Sequence, residues 1–261
     1  MKRSLPWVVV LALALAACAQ ALSANPPAEP APPPTASVIQ PAPTERPTTS
    51  VTTTTARTTT TTTTTAATVE VAGFEGEIAA IDDAIGARMS ASWRPGCPVG
   101  LDELRLLRVT HHDFAGGVSA GELVVHRDVA IDILAVFAAL FGAGYPIERI
   151  ELVDVYGGDD DLSMAANNTS AFNCRFIAGT RRWSEHASGA AIDLNPLINP
   201  YVRGSQVDPP DGAAYADRSG DHPALIRPGG PVTEAFAAIG WEWGGTWASA
   251  QDYQHFSLTG R

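Results

Sequence analysis

The stretch Ser184-Glu185-His186-Ala187-Ser188-Gly189-Ala190-Ala191-Ile192-Asp193 sets an imidazole and a carboxylate on either side of a glycine and a short apolar run. A turn at Gly189, followed by a strand through Ala190, Ala191 and Ile192, brings the His186 and Asp193 side chains back towards one point. Near the C-terminus His255 opens a second apolar segment, His255-Phe256-Ser257-Leu258, which a neighbouring strand can deliver to the same place. Two imidazoles and one carboxylate suit Zn2+, and a three-ligand site leaves a position open to water. A metal-dependent hydrolase is therefore the reading these residue types support. Taken by themselves the same residues also fit plainer roles, Asp193 as a turn cap and His255 as a hydrogen-bonded core histidine.

Outward from this stretch, the chain reads as a mixture of short strands and helices. Apolar residues at Ile78, Ile81, Ala84 and Ile85 predict a helix over residues 75–89. Residues 104–109 and 123–125 read as strands. His111 and His112, adjacent on extended chain, face opposite ways and form no ligand pair. Val129, Ile133, Val136, Phe137 and Leu140 recur at helical spacing, with Gly142, Gly144 and Pro146 ending that helix. Residues 150–155, 172–177, 190–194, 241–243 and 255–258 read as further strands, and 232–239 as a short helix. Residues 157–168, with Asp159, Asp160 and Asp161, read as a solvated acidic loop, since the ligand spacing of a calcium loop is absent. Residues 201–228 read as a long irregular connection. Without regular β-α-β alternation, an α+β fold is expected, a small antiparallel sheet with flanking helices.

The quoted stretch matches S-x-H-x-x-G-x-A-x-D in full, and Asp252-Tyr253-Gln254-His255-Phe256 follows as D-x-x-H-F. Together they resemble the D-alanyl-D-alanine carboxypeptidase and L-alanyl-D-glutamate endopeptidase family of zinc peptidases, whose small α+β fold is shared with the hedgehog signalling domain. The resemblance runs less sharply through residues 168–175 and Trp241-Glu242-Trp243-Gly244-Gly245, covering most of residues 104–258. It implies His186, Asp193 and His255 as ligands of one Zn2+, and Asp252 as the general base that takes a proton from the attacking water, with a carboxylate that merely orients His255 as the plainer alternative. It also implies an upstream arginine that steadies the oxyanion. Here Ser170-Ala171-Phe172-Asn173-Cys174-Arg175 departs from the family's wording, so Arg175 is the candidate while Arg181 and Arg182 stay open. The Arg175 guanidinium suits a substrate carboxylate equally well, and a surface salt bridge is the plainer alternative. Ser184 and Trp243 are candidates for substrate binding, although a turn hydroxyl and a core tryptophan are the plainer alternatives. The substrates implied are peptidoglycan stem peptides, cut by a carboxypeptidase or an endopeptidase. A binding module on the same scaffold, recognising wall peptide or a partner without hydrolysis, is the alternative from another class.

The N-terminus carries an address. Lys2 and Arg3, an apolar run from Trp7 to Ala17, and then Cys18 after Ala16 and Ala17 form an export signal over residues 1–18. Leu15-Ala16-Ala17-Cys18 resembles a bacterial lipoprotein cleavage box, which makes Cys18 the expected lipidation site; an ordinary secretory signal with a chance cysteine is the alternative. Residues 19–69 are nearly all Pro, Thr, Ala and Ser, including the run Thr58 to Thr65, with too little apolar bulk to offset ordering entropy. They are expected to form a tether reaching on the order of 100 Å or more. Residues 70–261 are long enough for one domain with a real core. The expected location is the outer face of the cell membrane, lipid-anchored and facing the wall, with a monomer as the expected state.

With Cys18 assigned to lipid, Cys97 and Cys174 remain as a pair in an oxidising compartment, where a disulfide is expected; two buried thiols are the alternative. Acidic residues number 28 against 17 basic, a formal net charge of −11, which argues against a nucleic-acid partner.

Overall fold

A computed structural model describes residues 71–260. The expected export signal, the expected lipidation site Cys18 and the expected tether lie outside the described residues.

The chain begins with an antiparallel meander of β1 (Gly76–Ala80), β2 (Leu104–His112) and β3 (Val118–His126), in that order, with α1 (Asp83–Arg88) between the first two strands. The run Leu-Arg-Leu-Leu-Arg-Val in β2 is apolar on both faces because both faces are covered. Leu107, Val109, Leu123 and Val125 pack with Ile133, Leu134, Phe137 and Leu140 of α2 (Ala130–Gly142). Leu104, Leu106 and Val124 face a second cluster with Ile85, Met89, Leu152, Phe172 and Cys174. Burying each of these side chains contributes roughly 1.5–3 kcal/mol. Cys97 and Cys174 are joined by a disulfide with a Cα–Cα distance of 5.8 Å, which ties the segment after α1 to this second cluster.

The remaining elements are short. In chain order they are β4 (Arg149–Ile150), α3 (Asp160–Ala165), β5 (Asn168–Thr169), β6 (Ala191–Asp193), β7 (Tyr201–Arg203), β8 (Gln206–Asp208), α4 (Pro231–Ala238), β9 (Glu242–Trp243), β10 (Gln251–Asp252) and β11 (His255–Ser257). Two three-stranded antiparallel sheets result, β6-β11-β9 and β10-β7-β8, beside a two-stranded parallel pair of β4 and β5. The α+β class is as expected, and several local expectations are corrected.

The helix expected over residues 75–89 divides. Residues 76–80 pair with β2, and the helix starts only where the Asp82 side chain accepts from the Ile85 backbone N–H. The strand expected at 150–155 ends at Ile150; Val153–Tyr156 is a 3-10 turn closed by Gly157. The acidic loop contains α3, capped by Asp159 through the Leu162 N–H. Residues 172–177 form no ladder, because their backbone groups bond to scattered partners: Phe172 to Val124, Asn173 to His186 and Cys174 to Ser92. The connection over 201–228 contains the β7–β8 hairpin and a 3-10 turn, Pro210–Tyr215. Arg218 anchors the rest, its guanidinium donating to the Ile198 and Ile226 carbonyls and to Asn199 Oδ1. No helix among the described residues is long and apolar enough to cross a membrane.

Candidate metal centre and cleft

His186 sits in the 3-10 turn Glu185–Ser188, which Gly189 ends at φ 71°. A Cβ at Gly189 would lie 2.5 Å from the His126 backbone nitrogen, so glycine alone fits both the left-handed backbone and the contact with β3. The chain then enters β6, whose last residue is Asp193. β11 pairs antiparallel with β6 so that His255 stands opposite Asp193. Local turn geometry thus sets the first pair and strand register sets the second.

The three side chains converge. His186 Nε2 lies 3.1 Å from Asp193 Oδ2, His255 Nδ1 lies 3.0 Å from Asp193 Oδ1, and the two ring nitrogens are 3.3 Å apart. All three residues are buried, and their ligand atoms lie within 4.8 Å of one another. His186 Nδ1 is 2.6 Å from the Ala171 carbonyl oxygen, which can only accept, so Nδ1 is the donor there and Nε2 is the nitrogen turned towards the other two side chains. Two imidazole nitrogens and a carboxylate at this spacing form a donor set that fits Zn2+. The electrostatics agree. Burial works against the Asp193 anion, but the flanking His186 and His255 outweigh it and hold the carboxyl well below the usual range. Burial likewise opposes charge on His255, yet its hydrogen bond to the Asp193 carboxylate and the Glu185 carboxylate 3.6 Å from Nε2 raise its pKa to about 10.

Around this triad lies a cleft of about 550 Å³. Asp252, in β10, contributes a carboxyl whose Oδ1 is buried without a hydrogen-bond partner. Burial pushes it up to about 7, with His255 pulling the other way. Arg175 lines the cleft and pairs with Asp160 Oδ2 at 2.7 Å, while Arg181 and Arg182 are not among the lining residues. Burial raises the Asp160 carboxyl in spite of that guanidinium. Ser184 also lines the cleft, as the residue before the 3-10 turn.

Trp243 is placed elsewhere. It stacks with Phe256 in the core and its Nε1 donates to the Tyr253 carbonyl, because β9 turns that face towards α4. The tryptophan facing the site is Trp247, 5.6 Å from the His255 ring between centroids, with a buried Nε1 that has no partner. His111 is buried, which lowers its pKa, and His112 stacks on Phe141, so neither joins the triad. Tyr201, Arg203, Gln206, Asp208 and Gln254 line the cleft and carry no sequence signal of doing so, since only the hairpin fold brings four of them there.

Residues 178–258 match the family model described as D-alanyl-D-alanine carboxypeptidase. The matched segment contains His186, Asp193, Asp252 and His255, and begins three residues after Arg175. The carboxypeptidase-family match supports a hydrolytic peptidase, of a kind that is zinc-dependent. No curated protein and no solved structure matches the chain.

Proposed function

We propose that residues 70–261 form a zinc peptidase that hydrolyses peptidoglycan stem peptides, exported and held by a lipid on Cys18 at the outer face of the cell membrane. Residues 19–69 serve as the tether that lets it reach the wall. The observation that carries the reading is the meeting of His186, Asp193 and His255 at one buried point, with the unpartnered Asp252 Oδ1 in the same cleft. These three residues would hold a Zn2+, which would supply Lewis acidity towards the scissile carbonyl and the attacking water.

The chain's own residues do the rest. Asp252, largely out of water and kept from full ionisation by burial, accepts a proton from the attacking water and passes it to the departing amine. Arg175 turns part of its donor fork from Asp160 to the oxyanion, for which its fixed charge and planar geometry are suited. Asp193 holds both imidazoles in orientation from the centre of the triad.

The test is turnover of isolated muropeptides by the zinc-loaded chain, with products read by mass spectrometry. Release of D-alanine or of an internally cut peptide, lost in Asp252→Ala, supports the proposal. Full activity in Asp252→Ala, or tight muropeptide binding without products, overturns catalysis in favour of a binding module.

A further inference from the structure

The sheet β10-β7-β8 forms one wall of the cleft, and its register decides which side chains face the substrate. Tyr201 pairs with Asp252 on one side and with Asp208 on the other, while Arg203 pairs with Gln206. Side chains alternate along a strand and cross-strand partners share a face. One face therefore carries Asp252, Tyr201, Asp208, Arg203 and Gln206, all of which line the cleft, and the other carries Gln251, Val202 and Val207, none of which does.

The cleft is rich in carboxylates, and two guanidinium groups line it. Arg175 pairs with Asp160 through one nitrogen, and the proposed oxyanion role takes the rest of its fork. The Arg203 guanidinium has no hydrogen bond, ion pair or ring contact within the described residues, and the Tyr201 hydroxyl has none either. Asp208, the nearest carboxylate along the hairpin, already accepts from Gln206 Nε2. Two uncommitted donors thus stand on the same face as Asp252. By strand geometry the Arg203 Cα lies roughly 8 Å from that of Asp252, a span that an arginine side chain covers while a carboxylate about one residue from the scissile carbonyl falls between them.

We propose that Arg203 and Tyr201 bind the substrate carboxylate adjacent to the scissile bond and so determine specificity for acidic over amidated peptides. This rests on the peptidase reading and names the group that the site selects. The carboxylate has two possible sources: the C-terminus of a peptide ending in D-alanyl-D-alanine, or the free α-carboxylate of an internal γ-linked D-glutamate. Arg203 presents a planar fork matched to either, and Tyr201 adds one O–H donor.

The experiment uses the zinc-loaded full chain and two matched pairs of peptides. The first pair is an N-acetylated tripeptide ending in D-alanyl-D-alanine and its C-terminal amide. The second is L-alanyl-γ-D-glutamyl-L-lysine and the same peptide with the glutamate α-carboxylate amidated. The ratio of kcat/KM between acid and amide is read for the parent, Arg203→Ala, Arg203→Lys and Tyr201→Phe. The same ratio is read as Kd by calorimetry in an Asp252→Asn background, where binding is measured without turnover. We expect the parent to prefer the acid in one pair, which identifies the source. That preference falls at least about tenfold in Arg203→Ala, falls less in Tyr201→Phe, and returns in part in Arg203→Lys. A preference unchanged by Arg203→Ala, or a parent without preference in either pair, overturns the proposal. Loss of binding preference in Arg203→Ala with no cleavage by the parent supports it and removes the peptidase reading instead.

Discussion

His255 stands directly across the β11–β6 pair from Asp193, its Nδ1 3.0 Å from Asp193 Oδ1. Because side chains alternate along a strand, a slip of one residue in this pairing would turn His255 away and dissolve the triad. The candidate metal centre is therefore as well defined as the register between two three-residue strands.

Removal of the central carboxylate is the sharpest probe of that arrangement. Zinc at about 100 times its dissociation constant is expected to stabilise the parent by about 2.7 kcal/mol. In Asp193→Ala that increment vanishes and zinc affinity falls at least about 100-fold, as measured by melting with and without zinc and by metal titration.

Zinc affinity should climb with pH. The folded-state pKa of His255 is raised from 6.5 to about 10, so in the metal-free protein the stabilisation from its partners is full below about 6.5 and lost as pH rises through about 10. Metal loading runs in the opposite sense, since the ring must give up its proton to become a ligand. Affinity is expected to rise about tenfold per pH unit for one proton released and to level off near pH 10. Competition with a chelator across pH 6–9 measures the slope, and an affinity independent of pH contradicts the assignment of the proton to His255.

Asp252→Asn should keep zinc affinity and lower kcat by about 10²- to 10⁴-fold. Burial holds the Asp252 carboxyl near 7 in the metal-free cleft, and a bound cation pushes it down. The acid limb of kcat/KM is therefore expected below pH 7 in the parent, with rate lost as Asp252 protonates, and absent in the variant.

The pairing of Arg175 with Asp160 separates catalysis from stability. Arg175→Ala leaves a half-buried carboxylate unpaired and should cost roughly 1–3 kcal/mol along with at least about 100-fold in kcat. Adding Asp160→Ala should restore the stability and leave kcat low. Recovery of both in the double variant would mean that Arg175 acts only as a structural partner.

The Cys97–Cys174 bridge closes a loop with a sequence separation of 77 residues. Its loss in Cys97→Ser is expected to cost roughly 4 kcal/mol through the unfolded-state entropy. Melting of Cys97→Ser against the parent, both loaded with zinc, should show a drop of at least about 8 °C.

The family resemblance carried by the two motifs made the triad legible in the sequence. Gly189 and the three apolar residues after it suggested the turn and strand that join His186 to Asp193, while by themselves the same residues fitted a turn cap and a core histidine. The long helix α2 was legible for a different reason: a sustained period of apolar residues outweighs every alternative. Short elements were not. Residues 76–80 carry apolar spacing compatible with a helix, and only pairing with β2 makes them a strand. Trp243 and Trp247 are chemically alike, and the turn after β9 decides that the first enters the core and the second the cleft.

The sequence by itself determined which residue types meet: the two histidines and two aspartates of the motifs, and a mixed α+β chain to carry them. Only the tertiary structure decided what surrounds them. Arg175 paired to Asp160, and Tyr201 and Arg203 raised on a hairpin beside Asp252, depend on contacts between segments far apart in the chain. Local propensity is written in neighbouring residues. The register of short strands and the destination of a loop's side chains are set by burial and pairing across the whole fold.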